Sequence, residues 1–416
     1  MKHPILIIAF LLLPLLCFSQ GITFEQGSWK DALVLAKQTN KPLMLYVYFS
    51  EDENSRFVYE NVIKGVFSSE PVGDVCKMYF VCYKLDASKK EGLEIAKKYG
   101  LTKQSAVLFV NTDGTMLSNL GTMLIGGTNV FMEGAKAVLS DLKDSKPMAA
   151  WDAEFPQKKN DQAFLLEYID KRAKLGLNYN EAFEAYLGLL PANGPMPEQA
   201  AKLFHMNSGQ IGVTDDAYHY FIKHKKEYSA AIANVYSNPL KEGSILQSMV
   251  QHTINEATLS NDEALLNKAI AVFREIPYDY NIKQVEELYM NYYKETKQPD
   301  KYLAHARIFV TDNLKKPDSY SESQLSGILN GIAWYIFQNY SDETVLKEAL
   351  TWSEKTVQLS SIPPYLDTKA NILYKLGRKD EAIALQKRAV ANLYGSPVNS
   401  VYSVTLKKME AGEKTW

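Results

Sequence analysis

The feature that most constrains the fold is a change of hydrophobic pattern near residue 160. Before this point, segments typical of strands alternate with segments typical of helices. After it, apolar residues recur only at helical spacing, as in DEALLNKAIAVFREI. Alternation indicates a sheet covered by helices, whereas helical spacing alone indicates a helical bundle or array. The sequence therefore predicts an α/β region followed by an all-α region.

The α/β region is predicted to span residues 21–145. It starts with a helix over SWKDALVLAKQTN, and the apolar run KPLMLYVYF that follows is typical of a buried central strand. Residues 51–78 favour a helix, YFVCYKLDA a strand, EGLEIAKKYG a helix, and SAVLFVNTDGTMLSNLG a hairpin with Asp113-Gly114 as its turn. FMEGAKAVLSDLKD closes the region as a helix. This order predicts a mixed sheet with helices packed on it.

The chain begins with MKHPILIIAFLLLPLLCFSQ, which has a short basic start, an apolar stretch over Ile5–Leu16 and a small polar end. That stretch is shorter than the roughly 20 residues that span a bilayer. We therefore expect residues 1–20 to be a secretory signal peptide. The mature protein would be exported, periplasmic or secreted, without an integral membrane segment. Lipidation at Cys17 is the less favoured alternative, because Leu16 precedes it where such sites have Gly, Ala or Ser.

Export would leave Cys76 and Cys82 as the cysteines of the mature chain. An oxidising compartment permits a disulfide between them. The intervening KMYFV, however, has the pattern of a helix end running into a strand. Such a segment can hold two Cα atoms beyond the ~7 Å that a disulfide tolerates. We expect two buried free thiols, with a disulfide as the alternative.

Three further segments complete the predicted organisation. Residues 146–160 form a polar linker with two prolines, residues 161–320 a helical region, and residues 321–416 a pair of helical repeats. In the last repeat, small residues recur at spacings typical of a tetratricopeptide repeat (TPR), where they allow paired helices to approach closely. These residues are Ala370, Ala382 and Ala389, with Gly377 in the turn between the helices.

The first region resembles the thioredoxin-like domains of secreted bacterial proteins. The resemblance lies in GSWKDALVLAKQTNKPLMLYVYFS and LDASKKEGLEIAKKYGLTKQSAVLFVNTDGTML. With the C-terminal YLDTKANILYKLGRKDEA, the chain resembles exported proteins in which a thioredoxin-like domain is fused to TPR-like repeats. The resemblance implies a thioredoxin fold with a Trp-Cys-Gly-Pro-Cys-Lys motif after the first strand and a cis-proline before the third.

Both parts of that redox apparatus are absent here. The six motif positions fall on Glu51–Arg56, so that Asp52 and Ser55 stand where the family has cysteines, and the cis-proline position falls on Ser105. Thiol–disulfide exchange needs a thiolate at a helix N-terminus and a second, resolving thiol. The sequence therefore predicts no catalytic residue of this kind, and we identify no cofactor site and no metal site.

The acidic run after the first strand has a structural interpretation and two functional ones. Ser50 and Glu53 have the spacing of a capping box at a helix start. A surface that contacts a partner is one alternative. A cation site is another, although the pattern of an EF-hand loop is missing.

The formal charge of −2 leaves no basic footprint for nucleic acid. Helical arrays commonly bind peptides or proteins on their concave faces. We therefore expect an exported, redox-inactive module that binds a protein or peptide, as a scaffold or chaperone would. One alternative is a thiol–disulfide oxidoreductase or redox helper of the cell envelope that uses Cys76 and Cys82. A second is a structural subunit of an envelope assembly.

Overall fold

The computed structural model describes residues 21–101, 105–121, 127–276, 279–315, 320–393 and 400–416. The predicted signal peptide, residues 1–20, lies outside the described residues. The described chain forms two compact units that divide between Pro239 and Leu240. The sheet belongs to the first unit, and the second unit is helical.

The sheet of the first unit has four strands in the order β2-β1-β3-β4. Strand β1 pairs parallel with β2 and antiparallel with β3, and β3 pairs antiparallel with β4. The predicted α/β region followed by an all-α region is confirmed at this level. The strands and the helices that accompany them are α1 Trp29–Thr39, β1 Leu43–Tyr48, α2 Glu53–Val58, α3 Lys64–Phe67, α4 Glu70–Tyr79, β2 Val81–Asp86, α5 Lys90–Lys98, β3 Ala106–Val110, β4 Met116–Gly121 and α6 Thr128–Asp141.

Strand β1 lies at the centre because neither of its faces carries a polar residue that needs water. Leu43, Leu45 and Val47 share one face and pack in a core with Trp29 of α1 and Ile95 of α5. The opposite face carries Met44 and Tyr46, which are also buried. A strand buried on both faces requires helices on both sides of the sheet.

The first unit continues as helices beyond the sheet. The segment 146–160, predicted as a polar linker, contains a helix and a 3₁₀ turn over Phe155–Gln157, and the division between the compact units lies further along the chain. Lys146 Nζ lies 3.8 Å above the ring of Trp151, which in turn stacks on Phe164 at 5.0 Å. These contacts hold the segment in place. The helices are α7 Met148–Glu154, α8 Gln162–Lys174, α9 Asn180–Gly188, α10 Glu198–Asn207 and α11 Asp216–Ala233.

The second unit is a series of helices in which successive members pair, joined by short connections. Its helices are α12 Glu242–Ser260, α13 Glu263–Glu275, α14 Asp279–Glu295, α15 Pro299–Lys315, α16 Glu322–Asn339, α17 Glu343–Leu359, α18 Pro363–Lys375, α19 Lys379–Ala391 and α20 Val401–Glu410.

The small residues predicted from the repeat pattern lie between paired helices of this unit. Ala370, Ala382 and Ala389 are fully buried. Gly377, in the turn between α18 and α19, has a φ of 81°, which glycine adopts without steric cost. The arrangement fits a helical-repeat architecture. Across the described ranges, no helix is both long enough and apolar enough to cross a bilayer.

Candidate functional site

The loop that follows β1 is tied to the end of β2 through Asp86. The backbone N–H of Ser50 donates to Asp86 Oδ1 at 3.2 Å, and the hydroxyl of Ser50 donates to Oδ2 at 2.8 Å. The N–H of Ser88 donates to Oδ1 at 3.1 Å. Partial burial acts to raise the pKa of Asp86, but the hydrogen bonds from Ser50 and Ser88 outweigh it and lower the pKa below the usual value. Asp86 is therefore an ionised anchor for this loop.

Asp52, at the first of the two predicted cysteine positions, caps a helix. Asp52 is the N-cap of α2, and its carboxylate accepts a hydrogen bond of 2.7 Å from the backbone N–H of Ser55. The predicted capping box from Ser50 is wrong, because the Ser50 hydroxyl is engaged with Asp86 instead. The side chain of Glu53, its predicted partner, lies outside the described part of the structure. Ser55 itself is buried.

Ser105 is the residue that the sequence analysis predicted to stand at a cis-proline position. Ser105 is buried just before β3, and no cis peptide bond occurs among the described residues. Burial raises the pKa of Tyr46, and the Ser105 hydroxyl acts on it in the opposite direction. Neither hydroxyl has a hydrogen bond of normal geometry. Residues 102–104, which precede Ser105, are outside the described ranges.

An aromatic cluster, which the sequence analysis missed, lies beside these hydroxyls. Tyr46 stacks on Tyr48 at 5.6 Å and on Tyr59 at 5.9 Å, and meets the edge of Phe67 at 5.1 Å. Tyr59 begins a π-helical turn over Tyr59–Ile63, between α2 and α3. The sequence did contain one sign of this cluster: Tyr46 and Tyr48 are two residues apart in a predicted strand, which places both rings on one face of β1. These rings occupy the space next to the degenerate motif.

Cys76 and Cys82, the remaining sulfur atoms of interest, lie elsewhere. Both thiols are free and buried, in the last turn of α4 and the start of β2. They line a cleft of about 540 Å³ in the first unit. Hydrogen bonding to the Cys76 thiol, and then burial, raise the pKa of the Cys82 thiol. A raised thiol pKa disfavours the thiolate that redox exchange requires.

A second concave site lies in the helical unit, between α12, α13 and α14. It is a groove of about 550 Å³, called here the α12–α14 groove. Its lining combines primary amides, hydroxyl groups and apolar side chains, without a charged residue among the described positions. The lining residues are Ser244, Gln247, Ser248, Val250, Gln251, Ile254, Phe273, Gln284 and Leu288.

Local hydrogen bonds hold some of these polar groups on α12. The hydroxyl of Ser248 donates to the carbonyl of Ser244 at 3.0 Å, and the amide of Gln251 donates to Asn255 Oδ1 at 3.0 Å. Ser248 is half-buried and Gln251 is exposed, so that both side chains face solvent. The groove thus presents neutral donors and acceptors above an apolar floor.

The structure does not bring the predicted residues into one catalytic centre. Asp52 and Ser55 follow the end of β1, and Ser105 precedes β3, which starts beside that end, whereas Cys76 and Cys82 line the separate cleft. Within the described residues, no three His, Cys, Asp or Glu side chains are grouped so that they could hold a metal ion.

Comparison of the chain with protein-family models gives no match, and comparison with curated proteins gives none either.

Proposed function

We propose that the chain is an exported, redox-inactive protein that joins a thioredoxin-like domain to TPR-like helices and binds a protein or peptide partner. It would act as a scaffold or in the manner of a chaperone. The observation that carries this proposal is the α12–α14 groove in the helical unit, which no charged side chain lines among the described residues.

The sheet supports the thioredoxin-like part of the proposal. Its strand order, with β1 central, β2 parallel to it and β3 antiparallel to it, agrees with the arrangement that the family resemblance implies. Pairing of successive helices and the buried small residues of α18 and α19 support the TPR-like part.

Binding is favoured over thiol chemistry by the roles of the motif residues. Asp52 caps α2 and Ser55 is buried in its first turn. Neither group supplies a sulfur nucleophile, and neither is placed to activate one. The start of α2 therefore serves stability, and we assign the binding role to the helical unit.

The chemistry of the groove favours an extended and uncharged segment of a protein. A primary amide offers a donor and an acceptor together, which matches the peptide group of an extended backbone. Phe273, Ile254 and Leu288 offer apolar surface to side chains of the bound segment. Since no charge lines the groove among the described residues, a charged segment would lose hydration there without gaining an ion pair.

Affinity capture from the native envelope fraction tests this proposal. The full chain should retain a discrete partner, and Ser248→Arg should abolish retention by placing a charged side chain in the groove. Ala264→Arg adds the same charge at an exposed position of α13 and should leave retention unchanged. Equal retention by both variants, or none by the unmodified chain, would refute the proposed site.

A further inference from the structure

Strand β2 forms one of the two edges of the sheet. On its inner side, the N–H of Val81 donates to the carbonyl of Pro42 at 2.9 Å, next to the start of β1. The peptide groups of every second residue in a strand face the same side. Those of Cys82 and Lys84 therefore face away from β1, along the outer edge of β2. Outward peptide groups of this kind are a template on which the strand of another molecule can pair.

A segment without helix or strand, residues 21–27, lies along this outer edge and is called here the strap. The N–H of Glu25 donates to the outward carbonyl of Cys82 at 2.8 Å. Close to the end of the strap, the hydroxyl of Tyr83 donates to the carbonyl of Gly27 at 2.9 Å. The strap is therefore fastened to β2 at two points, and one of them uses a peptide group that a second strand would need.

The beginning of the strap is fastened to helices α3 and α4. The N–H of Ile22 donates to the carbonyl of Phe67 at 2.8 Å, and the ring of Phe24 meets that of Phe67 edge to face at 5.5 Å. The backbone of the strap also crosses α4 closely. A Cβ on Gly73 would lie 2.7 Å from the carbonyl oxygen of Gly21, which is closer than real contacts of this kind. The strap can therefore dock here only because residue 73 has no side chain.

The opposite edge of the sheet, at β4, is covered in a similar way by the turn after α8. The N–H of Asn119 donates to the carbonyl of Leu175 at 3.1 Å. A Cβ on Gly176, the next residue of this turn, would lie 2.1 Å from the carbonyl oxygen of Asn119. Both edges of the sheet thus carry a covering segment that approaches through a glycine. Covering an edge is one of the ways in which proteins prevent the sheets of two molecules from joining.

We propose that the strap is an autoinhibitory contact, which keeps two copies of the chain from pairing through the outer edges of β2. A two-fold axis would bring the same edge of both copies together, because such an interface uses one surface twice. The outward peptide groups of Cys82 and Lys84 would then be the donors and acceptors of the pair. Because the strap already engages the carbonyl of Cys82, it competes directly with this association. The proposal is independent of the binding function of the helical unit.

Sedimentation of the purified chain over a range of concentrations tests the proposal. Gly73→Ala places a methyl group against the strap and should strengthen self-association by at least roughly tenfold, equivalent to about 1.4 kcal/mol. Gly65→Ala adds the same group to α3, where it would meet no atom within 4 Å, and should leave self-association unchanged. In the Gly73→Ala chain, Lys84→Pro removes one outward N–H and spares the ladder with β1, so it should restore the sedimentation of the unmodified chain.

Phe24→Ala decides the outcome if Gly73→Ala fails to fold. It removes the ring that packs on Phe67, leaves every peptide group in place, and should also strengthen self-association. The proposal is overturned if a folded Gly73→Ala chain sediments as the unmodified chain does, or if its association persists with Lys84→Pro. Equal association by Gly65→Ala would overturn it as well, as would unchanged sedimentation of Phe24→Ala where that variant decides.

Discussion

The hydroxyl of Ser50 donates a 2.8 Å hydrogen bond to the carboxylate of Asp86, across the ends of the two parallel strands. Asp86 therefore fixes the loop between β1 and α2, which holds the predicted redox-motif positions. Hydrogen bonds to a charged acceptor are stronger than those between neutral groups. The loop is thus built as a rigid connection between β1 and α2.

Removal of this anchor should destabilise the first unit. Asp86→Ala removes three hydrogen bonds to a carboxylate and should lower the free energy of unfolding by about 2–4 kcal/mol in urea titrations. Because the pKa of Asp86 is lowered by folding, its contribution is present above the unfolded value of about 3.9 and is lost as the pH falls through the folded value.

Lys89→Ala provides the control for this prediction. The Lys89 side chain is exposed and lies 3.8 Å from Asp86, so its loss should change stability by less than about 0.5 kcal/mol. Equal effects of the two substitutions would show that the carboxylate acts as a charge and not as an anchor for the loop.

The cap of α2 gives a second prediction. Asp52→Ala removes the acceptor of the Ser55 N–H and should cost about 1 kcal/mol in unfolding free energy. Asp52→Asn keeps a side-chain oxygen at the N-cap and should remain close to the original chain. Calorimetric melting of the three proteins measures both effects, and a loss with Asn as large as with Ala would contradict the assigned cap.

A third prediction concerns disulfide chemistry. Neither Asp52 nor Ser55 can form a mixed disulfide, and the pKa of Cys82 is raised by its Cys76 neighbour and by burial. The purified chain should therefore not accelerate the reduction of insulin by dithiothreitol, and Cys82→Ala should behave in the same way. Turnover that disappears in Cys82→Ala would instead establish the oxidoreductase alternative.

The fourth prediction follows from a buried carboxylate in the helical unit. Asp367 of α18 accepts hydrogen bonds from the amides of Gln386 and Asn371. Burial raises its pKa to about 6, with these two hydrogen bonds acting in the opposite direction. The folded unit therefore binds this proton more tightly than the unfolded chain, and the carboxylate reduces stability as the pH rises from about 4 to about 6.

Asp367→Asn should accordingly stabilise the helical unit at pH 7.5 by about 3 kcal/mol and change it little at pH 4, since about 1.4 kcal/mol corresponds to one pKa unit. Thermal melting at the two pH values checks this. Asp380→Asn, at an exposed position of α19, should stay within about 0.5 kcal/mol at both. The same gain at pH 4 and pH 7.5 would show that titration is not the cause.

Local signals were sufficient for the elements of the sheet. The run Leu43–Tyr48 is apolar on both faces, and the structure places it at the centre of the sheet, as predicted. Small residues at repeat spacing likewise predicted the tight contact of α18 with α19. In both cases, the types of residue within a short stretch of sequence are sufficient to predict which side chains are buried.

The helix cap, the groove and the shifted carboxylate depend on contacts between residues that are far apart in the sequence. Ser50 has the spacing of a cap, but Asp86 lies 36 residues away and takes its hydroxyl, which leaves Asp52 to cap the helix. The α12–α14 groove requires three helices to converge, and the individual Ser and Gln residues carry no pattern. The raised pKa of Asp367 likewise follows from burial between helices.

Site-specific photo-crosslinking tests the proposed binding role most directly. A photoreactive amino acid at position 248, within the α12–α14 groove, should give a discrete protein adduct in cells that produce the chain, and the same amino acid at position 264 should give none. Mass spectrometry of the adduct should identify an extended, uncharged segment of the partner. No adduct at position 248, or equal adducts at both positions, would contradict a binding function for this groove.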